Sequence, residues 1–270
     1  MIYADKKTEY ENLVKDVQLC IECDKYRKTI KAENIILEHD KNRRHINLWA
    51  EWQGSLDAEI LLIGKDWGRL SGDLIGKSKS YLNGEPFARE IEKMIDSGTP
   101  YLDCWGKNSK GEIKNHTDRN IASLFNSVLG LDIRTPNKKV FFTNSVQCYK
   151  PGNLNSPVED KWFECCNRKF IPRLISIIQP KMIISLGESA LTGLRYCGSF
   201  TDLNGETLPI NYFNSYNTVL DNGVIKLSIT GLHPIPVCPV PHAGYFGTLN
   251  RKKNNGDTLS DWQRIYEYIS

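Results

Sequence analysis

The chain has 270 residues, 40% of them apolar, with 12 prolines, enough to bury a sizeable core as one domain or two small ones. Its formal net charge of +3 permits a local Lys/Arg groove for a polyanion without demanding one, because net charge bears on association rather than on fold. The polar opening at Met1–Tyr10 and the shortness of every apolar run, far below the ~20 residues of a spanning helix, argue against a signal peptide or a membrane span and for a cytoplasmic home. There, the eight cysteines read as thiols or metal ligands rather than disulfides.

Taken in chain order, strand and helix patterns alternate. Glu59–Ile63 is a short apolar run that predicts a buried strand, and it leads into Gly64-Lys65-Asp66-Trp67-Gly68. Ile121, Leu124, Phe125, Val128 and Leu129 form a stripe with helical spacing. Lys139–Thr143 predicts the next strand and ends in Thr143-Asn144. Trp162, Phe163, Cys166, Phe170, Leu174 and Ile178 mark a second helix, which Pro172 can kink. Lys181–Leu186 and Val224–Ile229 predict two more strands, the latter leading into Gly231-Leu232-His233-Pro234-Ile235-Pro236. Leu259, Trp262, Tyr266 and Ile269 mark a last helix. Strands separated by helices predict a three-layer α/β/α sandwich around a mainly parallel four-stranded sheet. Residues 1–270 read as a single domain, with polar, Gly/Asn-rich insertions at 97–120 and 199–223. No repeat or low-complexity tract interrupts it.

An acid, an amide and an imidazole, Asp66, Asn144 and His233, each stand just past a strand-like segment. Open α/β sheets bind ligands at their strand carboxyl ends, so the three converge on one crevice if those strands are parallel neighbours. The cysteines supply a second constellation. Cys20 and Cys23 form a Cys-x2-Cys pair, while Cys148 and Cys165 flank the loop Tyr149–Asn153. Two thiolates at that spacing wrap a metal centre from one turn and a distant pair completes a tetrahedral set, which suits structural zinc and an iron–sulfur cluster equally. Cys166 rivals Cys165 as the fourth ligand.

In order, the motifs are Cys-x2-Cys, Gly64-x-x-x-Gly68, Gly84-Glu85-Pro86-Phe87, Thr143-Asn144-Ser145-Val146-Gln147-Cys148, Leu186-Gly187-Glu188-Ser189-Ala190 and His233-Pro234. The series resembles the uracil-DNA glycosylase superfamily over roughly residues 15 to 250, most nearly the branch that carries a [4Fe-4S] cluster. Six motifs in sequence are far more specific than any one. The likeness has departures. Gln147 stands where that branch has lysine, and Asp66 matches the cluster-free branch instead. Lys65 and Trp67 replace its usual residues, and Gly68 occupies the position of a thymine-excluding tyrosine.

The resemblance implies a hydrolase that turns a damaged nucleotide out of single- or double-stranded DNA and cuts its N-glycosidic bond, the first step of base excision repair. It assigns Asp66 to water activation and to facing the cationic sugar, and His233 to stabilising the departing base. Asn144 reads the base edge, Phe87 stacks on the base, and Gly64 belongs to the same base-recognition set. Pro234, Pro236 and Val237 form a wedge for the DNA gap, and Gly187 offers backbone N–H groups to phosphate. Gly244-Tyr245-Phe246-Gly247 is similar to a further family segment, and Arg251, Lys252 and Lys253 are candidates for phosphate contact. Cys20, Cys23, Cys148 and Cys165 would hold the cluster, with zinc as the alternative. A monomer acting on uracil or another deaminated or modified base is expected. The competing readings are a catalytically weak nucleic-acid binder on the same scaffold and a zinc-containing α/β hydrolase unrelated to DNA.

Overall fold

The computed structural model describes residues 3–20, 22, 54–66, 116–135, 137–147 and 158–269. Three of the apolar runs form strands β1 (Ile60–Gly64), β2 (Val140–Asn144) and β3 (Met182–Leu186), buried throughout except at Asn144, which is half-buried. Parallel strands covered on both faces need no polar alternation, hence their near-continuous hydrophobicity. β1 pairs in parallel with β2 on one side and with β3 on the other.

Three further strands, β4 (Ser199–Thr201), β5 (Ile225–Ser228) and β6 (Ile235–Val240), complete a mixed six-stranded sheet in the order β2-β1-β3-β6-β5-β4. This corrects the four-stranded expectation. The apolar run at 224–229 is β5, and it lies antiparallel to β6 and to β4. The fourth parallel strand is β6, which pairs with β3. Proline cannot donate to a ladder, so each proline inside this strand needs an open side. The two ladders on β6 are staggered: β5 pairs with Ile235–Val237 and β3 with Val237–Val240, overlapping only at Val237. Pro236 and Pro239 therefore each have one strand neighbour, and a missing N–H can face the open side.

Helices cover both faces. On one, Leu61, Ile63, Phe141, Ile183, Ile225, Leu227 and Val237 pack against α1 (Tyr3–Leu19), α3 (Asp160–Lys169), α4 (Ile171–Ile178), α5 (Glu188–Leu194) and α6 (Tyr216–Asn222). On the other, Ile60, Leu62, Val140, Phe142, Ile184, Cys238 and Val240 pack against α2 (His116–Leu129) and α8 (Thr258–Gln263). Phe125 of α2 meets Phe142 edge-on at 6.1 Å and Trp262 at 5.3 Å. Lys6, nearly buried in α1, donates to the carbonyls of Leu56 and Ile178, each at 3.2 Å, and to Asp57 at 2.9 Å, tying α1 to the entry of β1 and the end of α4.

Several boundaries differ from expectation. The helix placed from Ile121 begins at His116, so residues 116–120 belong to it rather than to an insertion. The long helix expected over 162–178 is two, separated at Phe170, with Pro172 in the first turn of α4, where its absent N–H costs nothing. Residues 199–223 supply β4 and α6, whose Phe200, Val219 and Leu220 are buried in the core. The C-terminal helix is also divided, into α8 and α9 (Tyr266–Ile269). No described helix is long and apolar enough to cross a membrane.

Arg251, on α7 (Tyr245–Lys253), is a structural rather than a phosphate-binding residue. It is 4% exposed, and its guanidinium bonds both carboxylate oxygens of the buried Asp261 at 2.8 and 3.0 Å and reaches Asp221 at 2.8 Å. Removing one partner of a buried pair strands the other charge, so Asp261→Ala should cost about 3–5 kcal/mol of unfolding free energy. Asp221→Ala, whose carboxylate is exposed, should cost under about 1 kcal/mol. Urea titrations of the two variants check this difference.

Candidate functional site at the strand carboxyl ends

The four parallel strands β2, β1, β3 and β6 present their carboxyl ends along one edge. Gly64 and Asn144 face each other across the β1–β2 register, and Lys65 and Asp66 continue from β1. Bonds from Ser145 N–H to Gly64 O (2.9 Å), Val146 N–H to Lys65 O (3.0 Å) and Gly187 N–H to Val240 O (2.8 Å) carry the ordering past the strand ends. A Cβ on Gly64 would stand 2.4 Å from Asn144 Oδ1. Only glycine there lets the Asn144 carboxamide lie across the end of β1. The buried Gln147 holds the Asn144 backbone: its amide donates to the Asn144 carbonyl and, at 3.2 Å, to Thr143 Oγ1.

The imidazole at this edge is His242, two residues past β6. Its Nδ1 accepts the Gly244 N–H at 3.0 Å, which in the neutral ring leaves the proton on Nε2, free to donate outward. Gly244 and Gly247 crowd the ring and its backbone: added Cβ atoms would come within 2.9 Å of Nδ1 and 2.0 Å of the His242 carbonyl oxygen. The α2 N-terminus closes this side. Asn120 donates to the Ala243 carbonyl at 2.8 Å, and Thr117 Oγ1 lies 3.1 Å from the point where a Gly244 Cβ would stand. Although His242 keeps exposed surface, the chain around it depresses its pKa, first by desolvation and then through the Lys65 charge, with Asp66 acting in the opposite sense. Those two charges belong to the β1 end, so the imidazole shares their field.

His233 is elsewhere. It is an exposed residue of the hairpin joining β5 to β6, beyond the positive-φ Gly231 (φ 83°), and because β5 runs antiparallel this hairpin lies at the opposite edge from Asp66 and Asn144. Pro234 and Pro236 share that remote edge, and Val237 is fully buried between Ile183 and Ile225, so none of the three forms a wedge beside the site. Gly187 does belong to it, with a φ of 87° and a Cβ position 3.3 Å from His242 Cβ. His242 stands two residues before Gly244–Gly247, the segment similar to one of the family. That proximity is the local signal in the sequence for an imidazole at this edge. Phe87, Trp67 and Gly68 lie outside the described residues.

Cys23 and Cys148 also lie outside the described residues. Cys20, just past α1, is buried in the same core cluster as Cys166, whereas Cys165 packs in a separate cluster with Val146 and Trp162. Among the described residues no three His, Cys, Asp or Glu side chains form a metal-holding group.

A His242 titration followed by NMR should give a midpoint below the ~6.5 of a free imidazole, lower still in Asp66→Asn and higher in Lys65→Met. Because the folded-state value is depressed, the unfolded chain takes up its proton first. The stability contributed by the neutral ring is complete above pH ~6.5 and is lost as pH falls through the folded value.

The family model for the uracil DNA glycosylase superfamily matches residues 51–265, a span that takes in Gly64, Asp66, Asn144, Gly187 and His242. Cys20 and Cys23 precede it. No curated protein matches the chain. With this fold and these strand-end residues inside the matched span, the chain belongs to the uracil DNA glycosylase superfamily.

Proposed function

We propose that the protein is a monomeric DNA glycosylase that hydrolyses the N-glycosidic bond of uracil, or of a related deaminated or modified base, and so initiates base excision repair. The observation that carries this reading is the grouping of Asp66, Asn144 and His242 at the carboxyl ends of parallel β1, β2 and β6, within the span matched by the superfamily.

The chemistry follows from the groups. The bond from C1′ to the base nitrogen breaks with its electron pair going to the base, and the sugar becomes cation-like. The His242 Nε2–H donates to a carbonyl oxygen of the departing anion, a role for which a neutral imidazole with a depressed pKa is suited. The Asp66 carboxylate faces the cationic sugar, orients the water that bonds to C1′ and takes its proton. The Asn144 carboxamide offers a donor and an acceptor to the base edge. Lys65 adds positive charge where the leaving base becomes negative. Phe87 stacks on the flipped base. The wedge role passes from Val237 to Tyr245 and Phe246, which are 59% and 75% exposed at the start of α7 beside His242. Lys252 and Lys253 remain exposed for phosphate.

The same reading gives Cys20, Cys23, Cys148 and Cys165 to a [4Fe-4S] cluster. When bound, it supplies iron–thiolate bonds tying the N-terminal segment to the loop after β2. Purified protein should be brown and contain iron rather than zinc. In cleavage assays on oligonucleotides carrying uracil, hypoxanthine or thymine, His242→Ala and Asp66→Ala should each lower single-turnover cleavage by about 10²–10³ while DNA binding persists. His233→Ala should cut at the parent rate. A parent protein that binds DNA but cuts none of these bases would leave a binding module, and full activity in His242→Ala would refute the site.

A further inference from the structure

On α2, Asp118, Ile121, Ala122 and Phe125 form the buried face. Phe125 packs on Phe142, in the middle of β2, while Thr117 and Asn120 meet the His242–Gly244 loop. The helix therefore runs antiparallel to β2, with its first turn at the strand carboxyl ends. Asp118 lies ~10 Å along the helix from Phe125, and Asn144 lies ~7 Å along the strand from Phe142. The Asp118 carboxyl is thus brought to the level of the Asn144 carboxamide or slightly above it, on the same face of the sheet. It is 7% exposed and makes no hydrogen bond or ion pair with any described residue. A carboxyl held at this edge without a partner among the described residues is open to a ligand edge seated against Asn144.

We propose that Asp118 is a further base-reading residue of this site, acting as the neutral acid and donating its O–H to the keto oxygen that distinguishes a deaminated base from its amino-bearing parent. This inference rests on the glycosylase reading above. Uracil and hypoxanthine carry a keto group where cytosine and adenine carry an amino group. A neutral carboxylic acid donates to that oxygen, whereas a carboxylate turns lone pairs toward it. Burial pushes the Asp118 pKa up to about 7, overcoming the helix N-terminus, which favours the carboxylate. The surrounding charged groups are His116 and Arg119 on α2, Lys65 and Asp66 past β1, His242 past β6, and Asp261 with Arg251 and Arg264 on the α7–α8 side. None of them contributes to the shift, which comes from burial alone.

The test is the pH dependence of kcat/KM on uracil and hypoxanthine oligonucleotides for the parent, Asp118→Asn and Asp118→Ala, with unfolding midpoints measured alongside. The parent should lose about tenfold per pH unit above pH ~7, as the neutral acid disappears. Asp118→Asn should be flat there, because its amide N–H donates at every pH, and should keep the acid-side limb that belongs to His242. Asp118→Ala should be slower by about tenfold or more across the range. Both variants should unfold close to the parent midpoint, since neither removes a hydrogen bond or ion pair to a described residue, so a lost rate cannot be ascribed to lost fold. Parent-like kcat/KM in Asp118→Ala, or an unchanged alkaline limb in Asp118→Asn, overturns the proposal and leaves the glycosylase intact. A parent that cleaves no base overturns the glycosylase reading and this inference with it.

Discussion

The site depends on the burial of β1 between β2 and β3. A strand enclosed by parallel neighbours and covered on both faces cannot slip by one residue without turning its apolar side chains to the wrong layer. That constraint fixes Gly64 opposite Asn144. The short loop bonds beyond the strands carry the same register into Lys65, Ser145 and Val146. Positional precision in the polar groups is thus borrowed from an apolar core, in which Phe141 and Phe142 point to opposite layers and lock β2 from both sides.

Electrostatics at the edge follow from the same enclosure. His242 is kept toward its neutral form by desolvation and by Lys65, while Asp66 pulls in the opposite direction. The carboxylate and the ammonium arrive on adjacent residues of one loop, so the imidazole feels both at once and the net effect is set by how much water the surrounding chain excludes. Burial acts on Asp118 in the opposite chemical sense, raising an acid rather than lowering a base. One desolvating edge thereby favours the neutral forms of both groups.

Behind this edge, the Arg251–Asp261 pair anchors α7 to α8. α7 begins immediately after the His242 loop, with Gly244 as its N-cap, so the pair fixes the far end of the helix whose first turn packs against the imidazole. Buried charge used in this way gives orientation more than stability. It also explains why a basic run that looks like a phosphate-binding surface, Arg251 to Lys253, contributes only its last two residues to solvent.

The sequence by itself determined the α/β class, three of the four parallel strands, and the placing of Asp66 and Asn144 at strand ends, because continuous apolar runs and the polar residues that stop them are local signals. The motif series likewise pointed to the right superfamily. Only the tertiary structure decided strand direction and neighbourhood. The 224–229 run looked like a parallel strand, yet it lies antiparallel and sends His233 to the remote edge. The proline-bearing segment that resembled a loop is the strand that delivers His242. Direction depends on which ladder a segment joins and on how two staggered ladders share it, and those are non-local pairings that no short stretch of residues encodes.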